Sequence, residues 1–104
     1  MPRYLLAYHG GHVDESQEGR ERVMKEFGDW FAELGPRLID PGNPIGRAVT
    51  IDDSSVTEGG GTNPISGYTV IEANDMDTAI ELVKRGPIVQ GGRTVEIAET
   101  TTAL

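Results

Sequence analysis

Val23-Met24-Lys25-Glu26-Phe27-Gly28-Asp29-Trp30-Phe31-Ala32-Glu33-Leu34-Gly35-Pro36 is the stretch on which the fold turns. Val23, Phe27, Trp30, Phe31 and Leu34 recur at steps of three and four, which places them on one face of a helix. The pattern extends back to about Glu18, and Asp14 or Ser16 is positioned to cap the first turn. Gly35-Pro36 ends it, because glycine takes a left-handed C′ position cheaply and proline cannot continue the ladder. Lys25, Glu26, Asp29 and Glu33 lie on the opposite, solvated face. Gly28 inside this helix costs about 1 kcal/mol relative to alanine, so another backbone is expected to pack closely against it, with local flexibility of the helix as the alternative.

Outward from this helix the chain alternates between the two elementary periods. Tyr4 to Tyr8, bounded by Pro2 and Gly10-Gly11, is a short apolar run expected to form a buried strand. Arg37 to Asp40 predicts a short strand stopped by Pro41-Gly42-Asn43-Pro44. Arg47 to Ile51 and Ser54 to Thr57 flank Asp52-Asp53 as a hairpin. Residues 58–67 are expected to be a glycine-rich loop, and Tyr68 to Ala73 a strand. Met76, Ala79, Ile80 and Val83 predict a second helix, capped by Asn74 or Asp75 and stopped by Gly86-Pro87. Thr94 to Glu99 alternates, with Val95 and Ile97 on one face, and residues 100–104 are expected to be a loose tail.

Two amphipathic helices separated by paired strands imply an α+β chain of ferredoxin-like, split βαβ type. Its antiparallel sheet carries both helices on one face and an inserted hairpin. At 104 residues and 37% hydrophobic content, one domain spanning 1–104 with a modest core is expected. Two helical stripes cover only one side of a four-stranded sheet. The other side still presents apolar side chains, so a homodimer packed sheet to sheet, a dimeric α+β barrel, is the expected assembly.

Seventeen acidic against nine basic residues give a formal net charge of -8, which argues against nucleic acid or an anionic membrane surface as partner. The absence of cysteine removes disulfides, thiolate nucleophiles and Cys-based metal sites. No apolar run approaches the roughly 20 residues of a bilayer span, and Met1-Pro2-Arg3 does not open a signal peptide, so a cytoplasmic location is expected.

The segments Tyr4-Leu5-Leu6-Ala7-Tyr8-His9-Gly10-Gly11, Asp40-Pro41-Gly42-Asn43-Pro44, Ser66-Gly67-Tyr68-Thr69-Val70-Ile71-Glu72-Ala73 and Gly91-Gly92-Arg93-Thr94-Val95-Glu96-Ile97 occur in an order that resembles the YCII-related (YciI-like, DGPF) family. The resemblance covers nearly the whole chain and implies a ferredoxin-like fold in a dimeric α+β barrel. It also implies a His–Asp pair in a cleft, with the histidine on the first helix. Here that helix has no histidine, Met24-Lys25-Glu26 occupying the corresponding stretch, while Asp40 matches the acidic partner.

His9 and His12 are the only histidines. His9 follows the first strand directly, where an imidazole can exchange a proton near neutral pH, and Asp40 is the carboxylate expected to orient it across a cleft between sheet and helix. A histidine simply hydrogen-bonded to backbone at a strand end is the plainer alternative. With Asp14, the two histidines offer metal-ligand types, but a loop His-x-x-His lacks the helical register of a zincin, so neither metal nor cofactor is expected. Glu58 to Pro64 lacks the Gly-Lys-Ser/Thr ending of a phosphate loop and is expected to lie beside the cleft as a lid. Its Asn63, with Tyr8 and Tyr68 as walls of polar tip and apolar body, completes the expected ligand-binding set. The functional expectation is a small organic ligand, with His9 and Asp40 as candidates for acid–base chemistry of elimination or isomerisation type. The alternative is a non-catalytic interaction or accessory protein, and an open cavity distinguishes the two.

Overall fold

A computed structural model of the chain describes residues 1–10 and 16–101. The elements are β1 (Arg3–His9), α1 (Gln17–Leu34), β2 (Leu38–Asp40), β3 (Val49–Ile51), β4 (Val56–Glu58), β5 (Ile65–Glu72), α2 (Met76–Lys84), α3 (Pro87–Gln90) and β6 (Thr94–Glu99). A four-stranded sheet runs β2-β5-β1-β6, and β3-β4 forms a separate two-stranded hairpin. Every described pairing is antiparallel. With the hairpin set aside as an insertion, each helix joins two strands that another strand separates. That is the ferredoxin-like α+β fold.

The helix ends follow from local chemistry. Ser16 caps α1, its side chain accepting from the Gly19 N–H at 3.0 Å, and Asp75 caps α2 by accepting from the Thr78 N–H at 2.8 Å. Asp14, the other candidate cap, lies outside the described residues. Gly35 closes α1 at φ 58°, where any residue with a Cβ is strained.

Several boundaries differ from expectation. Gly86-Pro87 ends α2 but also starts α3, because a proline at the first helical position lacks only an N–H that would be unpaired anyway. Residues 65–67 extend β5 rather than the preceding loop, since Ile65 pairs with His9 and Gly67 bridges Pro44. Thr100 continues the bonding of β6 to β1, its N–H donating to the Arg3 carbonyl at 2.9 Å. In α2 the buried residues are Ala79, Leu82 and Val83, whereas Met76 is 37% exposed at the first turn.

The register divides the sheet into two faces. Tyr4, Leu6 and Tyr8 stand opposite Ile71, Thr69 and Gly67 on one side and Glu99, Ile97 and Val95 on the other, and this face meets the helices. Tyr4, Leu6, Ile71 and Leu34 are essentially inaccessible there. The opposite face carries Arg3, Leu5 and Ala7 against Glu72, Val70 and Tyr68, with Ala98 and Glu96 beyond. Leu5, 38% exposed, shows that no described element covers this side fully.

Candidate functional site

A cavity of about 580 Å³ opens between the middle of α1, from Val23 to Phe31, and the helix-side face of the sheet. Val23, Met24, Phe27, Gly28 and Phe31 line it from α1, while Tyr8, Gly67 and Thr69 line it from β1 and β5. The turn Pro41–Pro44 closes one side, and Ile88 and Arg93 also border it. Phe27 links the aromatic residues of the wall, its ring centroid 5.9 Å from Tyr8, 5.6 Å from Phe31 and 6.3 Å from Trp30.

Gly28 departs from expectation. No backbone approaches it: a Cβ built there meets nothing within 4 Å. The residue faces open cavity, so its cost to the helix is not repaid by close packing.

Two other glycines shape the cavity. Gly42 sits at φ 73°, and a Cβ on it would overlap the carbonyl of Tyr68. A Cβ on Gly67 would lie 3.2 Å from the Tyr8 ring. Glycine at both positions lets the 41–44 turn lie against β5.

The polar groups of the wall form a chain. The Tyr8 hydroxyl donates to Thr69 Oγ1 at 2.6 Å, and Thr69 Oγ1 donates to the Pro41 carbonyl at 3.0 Å. Burial pushes the Tyr8 phenol up to about 12, against the opposing effect of the Thr69 hydrogen bond, so Tyr8 is neutral at physiological pH. Its proton is committed to Thr69, which leaves the phenol oxygen as an acceptor.

The structure separates the expected catalytic residues. His9 is buried on the other face of the sheet from Tyr8, because adjacent strand residues point to opposite sides. Its Nδ1 lies 3.0 Å from the Asn63 carbonyl and 3.2 Å from the Pro64 carbonyl, and its Nε2 lies 3.1 Å from Glu96 Oε1. Carbonyl oxygens only accept, so Nδ1 carries the proton and donates.

Asp40 makes neither of these contacts. Its Oδ1 accepts from the Gly42 N–H at 2.8 Å and so braces the turn beside the cavity. A hydrogen-bonded His9–Asp40 pair is therefore not formed: both ring nitrogens are engaged elsewhere, and the carboxylate is spent on an Asx turn.

Of the expected ligand-binding residues, Tyr8 lines the cavity from the helix-side face, while Tyr68, which the register places opposite Ala7 on the other face, borders it beside Gly42. Asn63 instead meets His9 through its backbone carbonyl. His12 and Asp14 lie outside the described residues, as does the metal site that they and His9 would form. Among the described residues no cluster of three or more His, Cys, Asp or Glu side chains is placed to hold a metal. No described helix is long and apolar enough to cross a membrane.

Arg93 and Gly28 were not anticipated at this site. A signal for Arg93 was present, because it stands two residues before Val95 and so shares the helix-side face with Val95 and Ile97. Gly28 carried the opposite signal, since an interior helical glycine is as consistent with close packing as with empty space.

No protein-family model matches the chain, and no curated protein matches it in sequence. Among solved structures, the chain is similar to 5-chloro-2-hydroxyhydroquinone dehydrochlorinase (TftG) from Burkholderia phenoliruptrix AC1100, in complex with 2,5-dihydroxybenzoquinone. The TM-score is 0.60 at 15% identity, over 99% of this chain and 96% of that one, which establishes the shared fold.

Proposed function

We propose that this chain is a YCII-related protein that binds a flat, largely apolar organic molecule in the cleft between α1 and the sheet. The observation that carries the reading is the 580 Å³ cavity bounded by aromatic side chains, into which an interior helical glycine leaves room. An accessory protein with no ligand would gain stability by filling that space, both through packing and by replacing Gly28. The dehydrochlorinase that shares the fold is described with a quinone bound, which supports a conjugated ring as the ligand class.

The test is thermal unfolding with 2,5-dihydroxybenzoquinone and a panel of small aromatic compounds. A ligand at 100 times its Kd stabilises the fold by about 2.7 kcal/mol. Wild type is expected to respond and Gly28→Leu, whose side chain would occupy the cleft, is not. Absence of a response to every compound would overturn the reading.

A second reading, acid–base chemistry of elimination or isomerisation type, is favoured by the fold shared with a dehydrochlorinase. In this reading His9 serves as acid or base on the sheet face away from α1, and Asp40 acts by bracing the turn at the cleft. Chloride release from a chlorinated hydroxyhydroquinone, lost in His9→Asn, is the expected result. Unaltered turnover in that variant would remove His9 from the mechanism.

The assembly belongs to the same proposal. Leu5, Ala7, Val70 and Ala98 form an apolar strip on the sheet face turned away from the helices, and a second copy packed on it would complete a dimeric α+β barrel. Sedimentation is expected to give twice the chain mass of 11.2 kDa, and a monomer at micromolar concentration would defeat the barrel.

A further inference from the structure

Arg93 is half-buried at the cavity wall; its backbone N–H donates to the Ile88 carbonyl at 2.9 Å, but among the described residues its guanidinium makes no hydrogen bond or ion pair. The other arginines are placed differently. Arg3, Arg47 and Arg85 pair with Glu72, Glu58 and Glu33, Arg20 and Arg22 also have partners, and Arg37 is exposed on the turn after α1. In a chain with 17 acidic residues and 9 basic ones, a partly desolvated cation with no carboxylate against it is unexpected. Among the described residues no Asp or Glu lines the cavity to neutralise it.

From this we infer that the molecule bound in the cleft carries an oxyanion on its ring system, a carboxylate or an ionised hydroxyl, and that Arg93 is the residue that selects it. The inference rests on the reading of the cleft as a small-molecule site and adds its charge specificity. Phe27, Phe31 and Ile88 give the remainder of the wall an apolar character, which suits the body of a conjugated ring and strengthens an ion pair at its edge. The guanidinium is planar and offers paired N–H donors, the geometry that matches a carboxylate or adjacent ring oxygens. Its stem lies beside Gly10, where a Cβ would come within 3.9 Å of Arg93 Cγ. The polar chain of Tyr8 and Thr69 supplies a neutral acceptor at the same wall. The net charge of -8 repels anions at long range, so selection falls to this one contact inside the cleft.

The experiment compares 2-naphthoate with 2-naphthamide, which match in shape and differ in charge, by calorimetric titration of the full chain at low and high salt. Wild type is expected to bind the carboxylate about tenfold more tightly than the amide, with the advantage shrinking as salt rises. Arg93→Gln is expected to lose that advantage while retaining the amide affinity, and Arg93→Lys to keep part of it. A retained circular dichroism spectrum verifies that each variant is folded.

Equal affinity for carboxylate and amide in wild type overturns the inference, as does an advantage that survives in Arg93→Gln. If both compounds bind equally and Gly28→Leu abolishes both, the cleft reading stands and only the oxyanion is lost. If neither naphthalene compound binds and 2,5-dihydroxybenzoquinone does not either, both fall together.

Discussion

The two main helices lie on the same side of one sheet and do different work. α2, nine residues long, buries Ala79, Leu82 and Val83 and packs its apolar stripe down. α1 is twice that length, yet its buried residues are Gly19, Trp30 and Leu34. Trp30 and Leu34 belong to its C-terminal turns. Through the middle of α1, Val23, Phe27 and Phe31 are only half-buried and, with the exposed Met24, wall the cavity. One helix thus serves the core, while the other is anchored at its C-terminal turns and spans a cleft through its middle. An apolar stripe at helical spacing is what both uses require, so periodicity identifies the helix without saying whether its stripe is packed or held clear.

The anchor is Trp30, 4% exposed, whose Nε1–H donates to the Leu82 carbonyl at 3.0 Å. It joins the two helices, and its removal is the most damaging change foreseen. Trp30→Ala is expected to cost about 3–5 kcal/mol in urea unfolding, and a loss below about 1 kcal/mol would show that α1 is held by something else.

The next test sets the helices against each other. Leu82→Ala in α2 should cost about 2–5 kcal/mol, whereas Val23→Ala, beside space already empty, should cost less than about 1 kcal/mol. Equal losses would mean that α1 packs as tightly as α2.

Tyr8→Phe removes one hydrogen bond beneath α1, with an expected loss of about 1 kcal/mol at neutral pH. The phenol is raised in the folded state from 10.0 to about 12, so the folded chain holds this proton more firmly than the unfolded chain. Its contribution is full below pH 10 and fades as pH rises towards 12, which makes wild type less stable across that window. Tyr8→Phe should flatten that part of the stability profile, and an unchanged slope would show that Tyr8 does not titrate there.

The smallest effect has the opposite sign. Gly28→Ala should stabilise the chain by about 0.5–1 kcal/mol, because a helical glycine gains a Cβ that meets nothing within 4 Å. Destabilisation would mean that the cleft is narrower than described.

The fold was legible because its signals are local and redundant. Val23, Phe27, Trp30, Phe31 and Leu34 announce α1, Ser16 and Asp75 cap helices in the manner their side chains favour, and Val95 and Ile97 alternate as a half-covered strand does. The boundary errors at 65–67 and at Pro87 arose where a pairing or a second use of a proline overrode the local preference. The candidate site was less legible. Tyr8 walls the cleft and Tyr68 borders it beside Gly42, but His9 follows Tyr8 and the pleat sends it to the opposite face, where the carbonyls of Asn63 and Pro64 and the carboxylate of Glu96 hold its ring.

Sequence alone determined the elements, their order and the sheet's division into a covered and a bare face, since hydrophobic period and capping chemistry act within a few residues. Only the tertiary structure decided which stretch of α1 stands clear of the sheet, that Gly28 opens on space, and that Arg93 reaches a cavity lined, among the described residues, by no carboxylate. A cavity is the volume that several distant segments fail to fill together, and no stretch of chain carries that information by itself.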